Sequence, residues 1–321
     1  MNYILLVIGF VLLIKGADYF VEGASIIAEK FKIPPLIIGL TIVAFGTSAP
    51  EAAVSITSSL KGSNDIAIGN AVGSNIFNLL LVVGIAALIC PLHVKKSIIL
   101  KEFPFCILSA FVLMILSQDI MFQGIGSNYL SRADGFMLIV LFGIYVYYLI
   151  ELAVTGRSDE SNESENVSDT KLKNGFLITL AVVGGMAAIV GGGQLVVNAA
   201  SNIAISWGMS ESLVGLTIVA IGTSLPELVT SIIAARKGKS DIALGNVIGS
   251  NIFNVFLVLG LSALICNMAV SAAVLFDMVL LLIFSILAYI FSITKKQIGR
   301  IEGGILSALY IAYMVFIIIR S

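Results

Sequence analysis

Charged residues are scarce in this chain, and several reactive side-chain types are rare. Only 12% of the 321 residues are Asp, Glu, Lys or Arg, and the formal net charge is −1. The sequence therefore offers no basic surface for nucleic acid. The single histidine and the three cysteines all lie away from the polar motifs described below, which argues against a zinc, copper or iron site.

Apolar residues dominate instead. They make up 59% of the chain, and the mean hydropathy is +1.08, far from the values of soluble domains. Runs of about 20 apolar residues, long enough to cross a bilayer as a helix, recur along the chain and leave no room for a soluble catalytic domain. The sequence predicts an all-α polytopic membrane protein with ten spans, at 3–28, 36–60, 65–89, 97–117, 134–154, 176–205, 212–235, 241–265, 270–292 and 301–319.

The first span has no basic segment before it and no cleavage signal after it, so we expect a retained helix. Lys and Arg indicate the orientation, because cytoplasmic loops carry an excess of them. With both termini outside, 14 basic residues fall in inside loops and three fall outside, namely Lys61, Arg132 and Arg320. The inside set is Lys30, Lys32, Lys95, Lys96, Lys101, Arg157, Lys171, Lys173, Arg236, Lys237, Lys239, Lys295, Lys296 and Arg300.

An internal repeat organises the chain. GLTIVAFGTSAPE at 39–51 aligns with GLTIVAIGTSLPE at 215–227, and the same offset of 176 places GNAVGSNIFN at 69–78 on GNVIGSNIFN at 245–254. Between 39 and 90, 33 of 52 positions are identical in the second copy without a gap. Five spans separate equivalent points, and an odd number reverses direction across the membrane. We therefore expect two inverted five-helix repeats, at 1–155 and 176–321, joined by an acidic cytoplasmic linker at 156–175.

Inverted repeats with interrupted helices are typical of secondary transporters, whose substrate site lies near the bilayer midplane. Each copy supplies such an interruption, because Pro50 and Pro226 lack a backbone N–H and disturb the helix in mid-span. We expect the carbonyls of Ala44 and Ala220 to turn toward a cavity, where irregular backbone is tolerated at membrane depth.

Oxygen-bearing side chains surround both interruptions. Thr47 and Glu51 lie four residues apart and share a helix face, and Ser74 and Asn78 do the same in the next span. Hard cations such as calcium and sodium prefer ligand sets of this kind. The predicted cation ligands are Ala44, Thr47, Ser48, Glu51, Ser74 and Asn78, with the repeat equivalents Ala220, Thr223, Ser224, Glu227, Ser250 and Asn254.

The two motifs resemble the alpha repeats of the cation/calcium exchanger superfamily, in particular its prokaryotic sodium/calcium exchangers, and the similarity covers the whole ten-span plan. The resemblance implies alternating access, with the first and sixth spans sliding past a core that holds sodium or calcium in exclusive occupancy. It implies electrogenic exchange, in which several sodium ions enter as one calcium leaves. Many relatives carry Asp where this chain has Asn254, which weakens the case for potassium co-transport. A calcium/proton antiporter using the same site is the alternative, and the two intact GTSxPE motifs favour sodium.

Some of these residues have alternative roles, and two other protein classes are alternatives to an antiporter. Ser74 and Ser250 have a packing role as an alternative, and Gly69, Gly73, Gly245 and Gly249 are expected to serve close helix packing. Lys15, Asp18 and Glu22 are spaced for an ion-pair ladder on the first helix. A passive channel and an intramembrane hydrolase fit less well, because two inverted copies suit neither and no histidine or lysine base lies near either serine.

The resulting prediction is an antiporter, not an enzyme, in a prokaryotic inner membrane. It needs no cofactor, and its partners are calcium, sodium and the lipid bilayer, with no nucleic acid and no obligate protein partner.

Overall fold

The computed structural model describes residues 2–124, 126–155, 175–209, 218 and 220–320, with the side chains of Gln123 and Ala220 outside that description. The described part is mostly helical. The helices before the linker are α1 (Asn2–Phe31), α2 (Pro35–Thr47), α3 (Ala49–Leu60), α4 (Asn64–Ile89), α5 (Ile98–Leu116), α6 (Asp119–Gln123) and α7 (Arg132–Thr155). Those after it are α8 (Gly175–Ser206), α9 (Ala220–Thr223), α10 (Leu225–Arg236), α11 (Ser240–Ile265), α12 (Ala272–Thr294) and α13 (Arg300–Arg320).

Several element bounds follow the sequence repeat. Adding the offset of 176 to the first and last residues of α3 gives those of α10. The same addition to the first and last residues of α4 gives those of α11. Both α4 and α11 change from α-helical to π-helical geometry at equivalent asparagines, Asn78 and Asn254. Such wide turns occur often at functional sites.

Eight described helices are long and apolar enough to cross a membrane, and the pair α2 and α3, bent by 50°, forms a ninth candidate. The predicted span at 212–235 lies partly outside the described residues. Its described part contains the helices α9 and α10. The all-α prediction missed four two-residue strands at helix ends. Of these strands β1 (Leu92–His93) pairs antiparallel with β4 (Gln297–Ile298), and β2 (Tyr129–Leu130) pairs with β3 (Met268–Ala269).

The two long helices α1 and α8 pack along each other through small residues. A Cβ added to Gly16 would lie 2.9 Å from the Gly185 carbonyl oxygen, and one added to Gly192 would lie 2.8 Å from the Gly9 carbonyl oxygen. Glycines seven residues apart on both helices therefore let the two backbones come into contact, as small residues do in membrane helix pairs.

The centre of the molecule is formed by α4 and α11. In their most apolar stretches 72% and 78% of residues are buried, against 44% or less in the other spans. The first broken helix packs on α11 at Gly245 and Gly249, whose added Cβ atoms would lie 2.8 Å from Leu36 O and 2.7 Å from Leu40 O. The predicted packing role is confirmed for these two glycines. Gly69 and Gly73 have no described atom in reach of an added Cβ, and the repeat equivalents of 36–40 lie outside the described residues.

Candidate cation site

Both helix interruptions occur at a serine. In the first half α2 ends at Thr47 and α3 starts at Ala49, and Ser48 between them has φ −84° and ψ 6°. Ser224 separates α9 from α10 in nearly the same conformation, with φ −92° and ψ 5°. Pro50 and Pro226 follow in the first turn of the next helix, where the missing N–H costs nothing. The sequence therefore ends one helix and starts another at equivalent positions of the repeat in both halves.

The two carboxylates of the candidate site are buried inside the bundle. Glu51 is 1% exposed and Glu227 is fully buried, each in the first turn of its helix. The positive end of the helix dipole favours a negative charge there. No ion pair among the described residues includes either carboxylate. Two buried carboxylates without a basic partner are costly in a membrane interior, so the arrangement calls for a cation.

Each serine at a helix interruption donates to the carboxylate of the other half. Ser48 Oγ lies 2.9 Å from Glu227 Oε1, and Ser224 Oγ lies 2.9 Å from Glu51 Oε1. A serine at a helix start ordinarily caps its own helix, but neither side chain does so here. Ser74 joins the same cluster, 3.0 Å from Ser224 Oγ and 3.5 Å from Glu51 Oε1. The two halves therefore complete each other's carboxylate environment.

Two asparagines that the sequence analysis did not select hold the interruptions in place. Asn70 Nδ2 donates to the backbone oxygen of Glu51 at 3.2 Å, and Asn246 Nδ2 donates to that of Glu227 at 3.4 Å. Asn246 Oδ1 also accepts the Thr47 hydroxyl at 3.0 Å. The signal that could have found them is their identity in the two Gly-Asn pairs of the repeat.

Several buried oxygens of the predicted ligands have no hydrogen-bond partner. The second carboxylate oxygens, Glu51 Oε2 and Glu227 Oε2, are among them, and so are Asn78 Oδ1 and Asn254 Oδ1. Ser250 Oγ is likewise buried without a hydrogen bond of ordinary geometry, although Ser250 interacts with Glu227. Unpartnered buried oxygens are rare in folded proteins, and four of these five form repeat-related pairs, Glu51 with Glu227 and Asn78 with Asn254.

The remaining predicted ligands divide into two groups. Thr223 is 7% exposed and interacts with neighbouring groups, as its repeat equivalent Thr47 does. The Ala44 carbonyl accepts the Ser48 N–H at 3.0 Å and the Thr47 hydroxyl at 3.3 Å. The expectation that the helix interruption frees this carbonyl was therefore wrong. In the second half the Ser224 N–H donates to Ile221 O, one position further on than Ala220.

The donor set suits a hard cation. Its charged members are two carboxylates, and its neutral members are hydroxyl and amide oxygens, the ligands that calcium and sodium take. Among the described residues no cluster of three or more His, Cys, Asp or Glu could hold a metal ion.

The ion pairs of α1 differ from the predicted ladder. Lys237, in the turn after α10, lies 2.7 Å from Asp18 Oδ1 and 3.8 Å from Glu22 Oε2, and it also donates to the Asp18 carbonyl oxygen. Lys237 therefore supplies the cation that the sequence analysis assigned to Lys15. These contacts link α1 to the end of α10, away from the two buried carboxylates.

Comparison with known proteins identifies the class. The model of the family described as "Sodium/calcium exchanger protein" matches residues 1–151 and 177–319. The chain belongs to this family of membrane ion exchangers, which confirms the predicted resemblance and the prediction of a transporter rather than an enzyme.

Individual relatives match most or nearly all of the chain. The sodium/calcium exchanger MaX1 of Methanosarcina acetivorans is 35% identical over 98% of this chain and 97% of its own. The inner membrane protein YrbG of Escherichia coli is 40% identical over 81% of this chain and 79% of its own. A solved structure of the sodium-calcium exchanger NCX_Mj superposes with a TM-score of 0.83 at 32% identity, covering 98% of both chains.

Proposed function

We propose that this protein is an electrogenic sodium/calcium antiporter that extrudes calcium by alternating access. Calcium binds between Glu51 and Glu227, and sodium ions replace it at the same group of oxygens. The further ligands are the hydroxyls, amides and carbonyls of Ala44, Thr47, Ser48, Ser74, Asn78, Ala220, Thr223, Ser224, Ser250 and Asn254. The Ala44 carbonyl becomes a ligand when Thr47 releases it.

The observation that carries this proposal is a pair of hydrogen bonds in which the serine of each half donates to the carboxylate of the other half. Ser48 donates to Glu227 and Ser224 to Glu51, each at 2.9 Å, while the second oxygen of each carboxylate stays unpartnered. One oxygen of each carboxylate is thus held by the opposite half, and the other is available to a cation. Because each half orients the other's carboxylate, a relative movement of the halves changes both sides of the site together.

The proposed architecture is ten membrane helices in two inverted five-helix repeats, 1–155 and 176–321. In support, α3 and α10 share bounds at the 176-residue offset, and the loops that follow them differ in charge as opposite sides of a membrane require. Both termini lie outside, and the plasma membrane of a prokaryote is the proposed location. The acidic linker at 156–175 lies outside the described residues apart from Gly175, which begins α8.

Sodium is the proposed driving ion, and protons are the alternative, because a carboxylate can exchange its cation for either. Asn78 and Asn254 are both amides, so Glu51 and Glu227 are the two charges that the proposed set offers. Two negative charges match one calcium ion. More than two sodium ions replacing it would carry net charge across the membrane.

The test is radioactive calcium uptake into proteoliposomes loaded with sodium and diluted into sodium-free medium. Parallel samples carry a pH gradient instead of a sodium gradient. The Glu51→Gln variant removes one site charge at nearly constant volume, and Glu151→Gln makes the same change at an exposed position of α7. We expect uptake that depends on internal sodium, is lost in Glu51→Gln and is retained in Glu151→Gln.

The outcomes separate the alternatives. Uptake driven by the pH gradient alone would assign the protein as a calcium/proton antiporter. Sodium leaves as calcium enters in this assay, so an inside-positive potential should accelerate uptake if more than two sodium ions move per calcium. Uptake that does not respond to potential would show electroneutral exchange, and no gradient-driven calcium uptake would contradict the substrate assignment.

A further inference from the structure

Four buried asparagines form a closed hydrogen-bond network where α4 crosses α11. Asn75 Nδ2 donates to the backbone oxygen of Asn251 at 3.1 Å, and Asn251 Nδ2 donates to that of Asn75 at 3.2 Å. Both side chains are 1% exposed. This reciprocal pair joins the first half of the chain to the second at the centre of the bundle.

The side-chain oxygens of the same two residues accept the amides of the proposed ligands. Asn254 Nδ2 donates to Asn75 Oδ1 at 3.1 Å, and Asn78 Nδ2 donates to Asn251 Oδ1 at 3.1 Å. Each contact again crosses between the halves, because Asn75 belongs to α4 and Asn254 to α11. Neither Asn75 nor Asn251 was among the predicted site residues.

The network determines which end of each ligand amide faces the cation. A backbone carbonyl only accepts hydrogen bonds, so Asn75 must present its NH₂ group to Asn251 O. The side-chain oxygen of Asn75 then faces Asn254, so Asn254 must donate a hydrogen bond to it from its own NH₂ group. Asn254 Oδ1 is left pointing away from this contact and has no hydrogen-bond partner, and the same sequence of constraints leaves Asn78 Oδ1 free.

We propose that Asn75 and Asn251 are positioning residues that orient the amides of Asn254 and Asn78, so that each presents an oxygen to the transported cation. The inference rests on the proposed function, in which Asn78 and Asn254 are ligands. A flipped ligand amide would direct its positively polarised NH₂ group toward the cation and repel it. The positioning is reciprocal between the halves, since each half orients a ligand on the other.

Double-mutant cycles test this pairing by equilibrium binding of radioactive calcium to the purified full-length protein. We expect Asn75→Ala to raise the calcium concentration for half-saturation by about tenfold, the effect of losing one or two buried hydrogen bonds. In an Asn254→Ala background the same substitution should change half-saturation by less than about twofold, because the group that Asn75 orients is gone. In an Asn78→Ala background its effect should remain near the single-variant value.

A purely structural role for Asn75 predicts a different pattern. General loosening of α4 would weaken binding equally in both backgrounds, and coupling through the helix itself would be stronger to Asn78, three residues away. The proposal is overturned if the effect of Asn75→Ala persists in the Asn254→Ala background or disappears in the Asn78→Ala background. The cycle of Asn251→Ala with Asn78→Ala repeats the test in the opposite direction.

Two controls keep the result interpretable. If Asn75→Ala is not recovered as a monodisperse protein, Asn75→Ser replaces it in the same cycles. Asn78→Ala and Asn254→Ala alone report on the ligand assignment: wild-type calcium binding in both would overturn that assignment and the positioning role with it. Weakened binding in both, combined with additive cycles, would leave the proposed function standing and overturn the positioning role alone.

Discussion

The serine of the second interruption provides a quantitative test of the cation site. Ser224 Oγ lies 2.9 Å from Glu51 Oε1 and 3.0 Å from Ser74 Oγ. A hydroxyl has one proton, so the shorter bond to the carboxylate takes that of Ser224 and leaves Ser74 to donate to Ser224. Ser224→Ala therefore removes the hydrogen bond that holds Glu51 in place, with almost no change in volume.

The expected size of the effect follows from the contact geometry. A hydrogen bond to a charged acceptor contributes about 1.5 to 3 kcal/mol, and the lower value corresponds to about a tenfold change in an equilibrium constant. Ser74→Ala is the matched control, because Ser74 is also a proposed ligand but lies 3.5 Å from Glu51 Oε1, at the limit of hydrogen bonding. We expect Ser224→Ala to raise the calcium concentration for half-maximal uptake about tenfold, and Ser74→Ala to raise it less than about threefold.

The assay is initial-rate calcium uptake into sodium-loaded proteoliposomes over a range of external calcium, with the amount of reconstituted protein matched between variants. A half-maximal concentration for Ser224→Ala within twofold of wild type would refute the reasoning. A larger shift for Ser74→Ala than for Ser224→Ala would refute it as well, because the hydrogen-bond distances would then not determine how Glu51 is held.

Three further predictions concern other residues. Asn254→Asp adds a carboxylate to the site, so calcium uptake measured across pH should fall more steeply on acidification than in wild type; an unchanged profile would place Asn254 outside the site. Gly249→Ala puts a methyl group 2.7 Å from a backbone oxygen of α2. Thermal unfolding should show that this substitution lowers the free energy of unfolding by about 1 to 3 kcal/mol. Gly143 has open space around it, so Gly143→Ala should cause no such loss. Arg320 Nη2 lies 2.7 Å from Asp277 Oδ2, so Arg320→Gln should lower the melting temperature while leaving calcium half-saturation unchanged, and a shift in calcium affinity would contradict this purely structural role.

The repeat made the bounds of several helices predictable from the sequence. Identical residues at a fixed offset place helix starts at equivalent positions, and the prolines at 50 and 226 mark where a helix must begin again. Hydropathy located the long spans, because a helix that crosses a bilayer must be continuously apolar. The two-residue strands were not predictable, because so short a pairing leaves no periodic pattern.

The partners of the site residues were harder to predict. Ser48 and Glu51 have the spacing of a capping box, in which the two side chains would satisfy the start of their own helix. In the structure Ser48 instead donates to Glu227, 179 residues away. A local pattern cannot distinguish the two arrangements, because the choice depends on how closely the halves approach.

The positioning asparagines were missed for a related reason. Ser74 and Asn78 were selected because they lie four residues apart, and Asn75, three residues before Asn78, was not part of that pair. Its role depends on a carbonyl of the opposing helix, which a pattern within one segment does not reveal. Lys237 was likewise overlooked as the partner of Asp18, because the two are far apart in sequence and meet only where α10 ends beside α1.

We propose that Glu51 and Glu227 share one cation site. Equilibrium binding of radioactive calcium to the purified protein, with sodium as competitor, tests it most directly in the wild type, Glu51→Gln, Glu227→Gln and the exposed control Glu151→Gln. We expect one saturable calcium site that sodium displaces, that both buried substitutions abolish and that the control retains. Wild-type calcium binding in either Glu51→Gln or Glu227→Gln would contradict it.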